Sequence, residues 1–163
     1  MIKNIFKPLN NNLNFFLPIR FNNVFLKLDN NYFFKKLSFE INTNGISVFI
    51  GANGAGKTSC VKLLTGLIKP SAGEILFSKN KQILNLTGYV PQKIILLRRS
   101  VEKNLLHTLS ISNYPTNKKK QRIKEILKFA KLEHVAKQSA RNLSIGQQQL
   151  ISIMRALAIK PSF

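Results

Sequence analysis

Apolar positions in the first half of the chain come in short runs separated by polar turns, whereas in the second half they recur at helical spacing. The apolar residues between Phe21 and Ile41 predict two strands, with Asp29-Asn30-Asn31 as the turn between them. Ile46-Ser47-Val48-Phe49-Ile50 is a short, largely β-branched run that ends at a glycine, the pattern of a buried strand. A helix is expected from Lys57 to about Leu67, closed by Pro70. Gly73 to Phe77 and Thr87 to Val90 read as further short strands.

Helical spacing then takes over. Ser100 is placed to cap a helix through Val101, Leu105 and Leu106, and Glu102 falls in its first turn, where the helix dipole favours a negative charge. After a loop from Ser110 to Asn117, Ile123, Ile126, Leu127 and Ala130 fall at i, i+3, i+4 and i+7, one face of a helix. Gln147 to Ala158 is the last predicted helix. Strands first and helices later describe an α/β domain with a helical insertion.

Composition narrows the class. The 163 residues leave room for one domain with a core of its own, and a hydrophobic fraction of 44 % is that of a globular chain. The single cysteine, Cys60, excludes an intramolecular disulfide framework and fits a reducing compartment. No histidine or acid lies close to it in sequence, so it reads as a packing residue rather than a nucleophile. No stretch approaches the roughly 20 apolar residues that span a bilayer. Asn10 to Asn12 and Asn14 break up any signal-peptide core behind Lys3 and Lys7, and a cytosolic protein is expected. Residues 1–20 read as a loosely held lead-in.

The charge is unusual: 26 Lys plus Arg against 6 Asp plus Glu, formally +20. Such a field attracts polyanions. Because Lys, Asn, Ile and Phe are abundant throughout, the excess reads as solvated surface charge arising from a compositional drift.

Gly51-Ala52-Asn53-Gly54-Ala55-Gly56-Lys57-Thr58 carries the clearest chemistry. It satisfies the phosphate-loop pattern between a predicted strand and a predicted helix, the context the motif requires. Glycines let backbone N–H groups turn inward around a phosphate, and the helix N-terminus adds its positive end. Lys57 reaches the β- and γ-phosphates in this pattern, and the Thr58 hydroxyl is a magnesium ligand. Gly51, Asn53, Gly54, Ala55, Gly56, Lys57, Thr58 and Ser59 are the expected cofactor-binding residues.

Two later stretches identify which phosphate-loop family this is. Tyr89-Val90-Pro91-Gln92 runs a strand into a polar residue, and Leu143-Ser144-Ile145-Gly146-Gln147 opens the final helix. In this order after a phosphate loop, they resemble the Q-loop and signature motif of ATP-binding cassette (ABC) ATPases. The resemblance covers about Phe21 to Phe163. It implies a P-loop NTPase fold, a RecA-like core with N-terminal strands over 21–97, a helical insertion over about 98–140, and the signature helix over 141–163. It also implies ATP and Mg2+ as cofactors. ATP on the loop of one subunit would be covered by Ser144, Gly146 and Gln147 of a second, in a head-to-tail dimer. Gln92 would sense the magnesium and the attacking water, and the insertion would dock on a transmembrane permease. The resemblance places such a subunit on the cytoplasmic face of the inner membrane, with a periplasmic solute-binding protein as a further partner.

Three departures from the family pattern stand out. Ile145 occupies a glycine position, and a β-branched residue is disfavoured at φ > 0. The aromatic that stacks on adenine in the family should fall near Leu28; Tyr32 is the nearest tyrosine, with a core or turn role expected for it. The family's Asp-Glu strand and later histidine fall beyond Phe163, so the sheet is expected to be incomplete at its C-terminal side. The chain is accordingly expected to bind nucleotide without turning it over. His107 and His134 precede the signature and read as surface or packing residues. Leu96-Leu97-Arg98-Arg99-Ser100-Val101 looks like a stretch of tungstate and related oxyanion importers. The rival readings are a nucleic-acid-associated ATPase, favoured only by the charge, with Lys118-Lys119-Lys120, Arg122, Lys124, Lys128 and Lys131 clustered on the insertion helix, and a non-functional truncated remnant. No aromatic residues interleave these cations, and no nucleic-acid partner is expected.

Overall fold

The computed structural model describes residues 17–28, 31–42, 45–78 and 87–161. The chain divides into two compact units, one ending at Thr87 and the other running from Gly88.

In the first unit, β1 (Ile19–Leu28) lies between β2 (Asn31–Ile41) and β3 (Ala72–Phe77), antiparallel to both. Ile19 pairs with Ile41 on one side and Phe77 on the other. Ile19 and Phe21 are buried, and so are Val24 and Leu26, which changes the parity of the inward positions partway along the strand. A register shift between Phe21 and Val24, with Asn23 at φ 45, makes this possible: a bulge adds one residue and returns the next apolar pair to the same face. These residues pack with Cys60, Leu63 and Leu64 of helix α1 (Lys57–Leu64), and Phe21 stacks on Phe39 with ring centroids 4.3 Å apart. The strand begins at Ile19, two residues inside the stretch read as a lead-in; residues 1–16 lie outside the described part, as do Asp29 and Asn30 of the predicted turn.

Two expected strands are not formed. Ile46–Ile50 has no strand partner, and Ile46 and Ile50 are 96 % and 92 % exposed. Thr87–Val90 is likewise irregular. A β-branched run favours extended backbone, but an interior parallel strand is stabilised by neighbours on both sides, and among the described residues neither segment has them. Helix α1 also stops at Leu64 rather than near Leu67, with Gly66 in the left-handed region just beyond it.

The second unit is built on three helices, α2 (Val101–Ile111), α3 (Thr116–Phe129) and α4 (Ile145–Ala158). Val101, Leu105 and Leu109 pack with Ile126, Leu127, Ile151 and Met154. Ser100 caps α2 by accepting from the Lys103 amide, as its position predicted. Buried Asn104 ties the segment before α2 to the helix. Its amide group donates to the carbonyls of Leu97, Arg99 and Ser100, and its oxygen accepts from the Leu97 amide.

Arg122 corrects the expected charged face of α3. It is 1 % exposed and donates from Nε to the Ala158 carbonyl and from Nη2 to the Leu157 carbonyl, at the C-terminal end of α4. A guanidinium there satisfies carbonyls the helix leaves open and complements its negative end. Four residues before Ile126, it falls on the buried stripe rather than among the solvated lysines.

Candidate functional site

The phosphate-loop residues lie together in the first unit. Ala55 N–H donates to the Ala52 carbonyl at 3.2 Å, which closes the turn, and Cys60 N–H donates to the Gly56 carbonyl at 2.8 Å, which starts the helix. Gly54 and Gly56 have φ of 84° and 91°, so both occupy the left-handed region that favours glycine. Gly56 is doubly constrained: a Cβ there would lie 2.5 Å from Phe34 Cζ and 2.6 Å from Phe33 Cε1. Helix α1 has no side-chain cap and no acid in its first turn, which leaves its first N–H groups for a ligand. Lys57 Nζ donates to the carbonyls of Gly51 and Ala52, 2.7 Å each. Thr58 and Asn53 are exposed, and Ser59 is partly so. Cys60, by contrast, is buried, and burial pushes its thiol up to about 11, away from the thiolate a nucleophile needs.

The aromatic neighbours of this loop were missed in the sequence. Phe33 and Phe34, edge to face at 5.2 Å between centroids, stand against Gly56. Of the core or turn role expected for Tyr32, the core part does not hold: it is 54 % exposed near the start of β2, edge to face with Phe25, with Lys27 and Lys35 each 6.0 Å from its ring. Consecutive strand residues point to opposite faces, so a run of three aromatics gives no local cue as to which ring meets the loop.

In the second unit, Ser144, Gly146 and Gln147 come together at the start of α4. Ser144 Oγ accepts from the Gln147 amide at 3.3 Å, and Gln147 Oε1 accepts from the Ser144 amide at 3.2 Å, a reciprocal capping box. Gln148 adds a strap, donating from Nε2 to the carbonyls of Arg141 and Leu143. Ile145 is the first helical residue and is 75 % exposed, with no positive φ, so the strain expected of a β-branched residue there does not arise. A Cβ on Gly146 would meet nothing within 4 Å, which leaves this turn open to a large neighbour. Gln92 is exposed and makes no hydrogen bond among the described residues. The carbonyl of Ile95, three residues on, accepts from Arg155 Nη1 of α4 at 2.6 Å, and that of Leu96 from Arg141 Nε at 3.0 Å. Neither arginine brace was legible in the sequence.

His134 is exposed, whereas His107 keeps Nδ1 buried without a hydrogen-bond partner among the described residues. Among the described residues no three His, Cys, Asp or Glu side chains gather as a metal site, and no helix is long and apolar enough to cross a membrane.

Residues 34–163 match the family model described as ABC transporter. The chain is 40 % identical over 146 residues to the zinc import ATP-binding protein ZnuC of Rickettsia conorii, covering 88 % of this chain and 58 % of that protein. It is 34 % identical over 135 residues to the molybdate/tungstate import ATP-binding protein WtpC of Methanocaldococcus jannaschii, covering 78 % and 45 %. The chain thus spans about half the length of these curated relatives. Among solved structures, a bacterial ABC transporter cassette in dimeric form superposes with a TM-score of 0.74 at 27 % identity, over 88 % of this chain and 70 % of that one.

Proposed function

The chain belongs to the ABC transporter family, and from that premise we propose that it is an ATP-binding part of an ABC importer. The observation that carries this reading is the loop from Gly51 to Thr58, with two left-handed glycines, an uncapped helix start and the Lys57 ammonium at its rim. These residues fit a magnesium nucleotide. The first N–H groups of α1 suit phosphate oxygens, and the exposed Thr58 hydroxyl lies in the first turn. Lys57, whose ammonium donates to the Gly51 and Ala52 carbonyls, would turn to the phosphates of a bound nucleotide. The Thr58 hydroxyl would hold a magnesium ion, which when bound draws charge from the phosphate oxygens. Phe33, 42 % exposed beside Gly56, offers the base an aromatic surface. Ser144, Gly146 and Gln147 cover the nucleotide of a second subunit bound head to tail.

The helical insertion docks on a transmembrane permease at the cytoplasmic face of the inner membrane, and a periplasmic solute-binding protein delivers the cargo. The two curated relatives named above are import proteins for zinc and for molybdate/tungstate. Identity of 40 % to a zinc import protein against 34 % to a molybdate/tungstate one favours zinc over the tungstate that Leu96–Val101 suggested.

Binding of a fluorescent ATP analogue in magnesium buffer tests the reading at its base. Saturable binding is expected, weakened at least about tenfold by Lys57→Ala, since charge-assisted hydrogen bonds contribute roughly 1.5–3 kcal/mol. Equal binding by the two proteins would overturn it.

A further inference from the structure

A phosphate loop binds through its backbone, so that backbone has to be held in place from outside. Ile46–Ile50, which leads into the loop, has no strand partner among the described residues, and no ladder of backbone hydrogen bonds fixes where Gly51 begins. Helix α1, which leads out of it, starts without a side-chain cap. The Ala55 amide donates to the Ala52 carbonyl, and Lys57 Nζ donates to the carbonyls of Gly51 and Ala52. These bonds close within the loop and its first helical residue. They set its shape and not its place.

Strand β2 meets the loop at both ends through aromatic rings. Ahead of the loop, Phe49 lies edge to face with Phe39, centroids 5.7 Å apart, and Phe39 stacks on Phe21 in the core. Behind it, the Phe34 ring stands against Gly56: a Cβ built there would be 2.5 Å from Phe34 Cζ and 2.6 Å from its Cε1. Phe34 also pairs across the sheet with buried Leu26 and packs on the core cluster that holds Cys60, Leu63 and Leu64 of α1. Its base is tied to sheet and helix, and its tip to the turn where loop becomes helix. Phe33 touches the same glycine but is 42 % exposed and stands outside that core.

We infer that Phe34 is a positioning residue for the phosphate loop, its ring passing the register of β2 to Gly56 and so to the N–H groups that face the phosphates. This role rests on the nucleotide reading of the loop. A packed ring has few rotamers and little room, so it holds a neighbour within a fraction of an ångström, the tolerance a preorganised site needs. Gly56 is the N-cap residue of α1, so a displacement there moves the last loop amides and the first helical ones together. Phe33 then serves the base and Phe34 the phosphates.

Isothermal titration of the full chain in magnesium buffer with two probes, inorganic triphosphate and the fluorescent ATP analogue, tests this. Triphosphate has no base and reports the loop alone. Phe34→Leu should weaken both probes by the same factor, about tenfold, against the roughly hundredfold cost of a 1 Å misplacement. Phe34→Tyr keeps the ring but adds an oxygen to Cζ, the atom nearest the Gly56 position, and should weaken triphosphate too. Should Phe34→Leu fail to fold, Phe34→Tyr decides alone. A ring that only fills the core would lower the urea midpoint and leave the affinity of the folded chain unchanged, which would overturn the positioning role. Loss of the ATP analogue alone would also overturn it, by assigning the ring to the base. If Lys57→Ala abolishes triphosphate binding while neither Phe34 variant weakens it, only the positioning role falls. If wild type binds neither probe, the nucleotide reading falls and takes this role with it.

Discussion

Two helix starts in this molecule carry the same electrostatic potential and use it in opposite ways. Helix α1 begins at a left-handed glycine with no side-chain cap, so its first N–H groups are left for something outside the chain. Helix α4 begins at Ser144, whose hydroxyl accepts from the Gln147 amide while the Gln147 side chain returns to the Ser144 amide. The first start leaves its donors without a side-chain partner, as the proposed nucleotide site would need. The second holds its own shape and presents a finished surface, with Gly146 bare and Ile145 exposed. The difference teaches that a motif at a helix N-terminus does not by itself imply the same job. What decides is whether the chain has already satisfied the donors there.

The strongest way to break that contrast is Gly56→Ala. The left-handed backbone costs a non-glycine residue about 1–2 kcal/mol, and forcing a Cβ against Phe33 and Phe34 adds the roughly 1–3 kcal/mol typical of overpacking. A loss of about 2–5 kcal/mol is expected in urea unfolding, together with loss of binding of the ATP analogue. Unchanged stability would mean that the aromatic pair yields freely and that Gly56 is not held from two sides.

That contrast was only half legible in the sequence. The loop from Gly51 to Thr58 announces itself because its glycines and lysine are contiguous, and Ser144 and Gln147 are spaced as a capping box. Helices α2, α3 and α4 were legible for the same reason, since caps and apolar spacing are local. Ile46–Ile50 was not, because a parallel strand is decided by neighbours from elsewhere in the chain. The bulge in β1 was hidden too: only the left-handed Asn23 makes Val24 and Leu26 inward positions after Ile19 and Phe21. Arg122 was misread although a cue existed, since it stands four residues before Ile126. Asn104 and Arg155 gave no cue, because most of their partners are backbone groups, which any sequence supplies.

A smaller effect should follow from opening the closed start. Ser144→Ala removes the acceptor for the Gln147 amide and the anchor of the box, and caps of this kind contribute about 0.5–2 kcal/mol. Urea unfolding should report a loss of roughly 1 kcal/mol, and amide exchange at residues 145–148 should accelerate while α2 and α3 keep their protection. Binding of the ATP analogue to the loop of the same chain should be unaffected. If binding fell as well, the two starts would not be the independent devices their hydrogen bonds indicate.

The smallest and most discriminating change is Ile145→Gly, which restores the residue that the family pattern has there. Were Ile145 strained, glycine would relieve the strain and raise stability. The backbone argues the reverse, because Ile145 is an ordinary first helical residue and 75 % of it faces solvent, so little apolar burial is at stake. Glycine then brings only its greater loss of backbone freedom, about half a kcal/mol relative to an ordinary helical residue. A slight fall in the urea midpoint is therefore expected, with the capping box intact. A rise instead would place hidden strain in the α4 start and remove the ground for calling it the self-sufficient one of the pair.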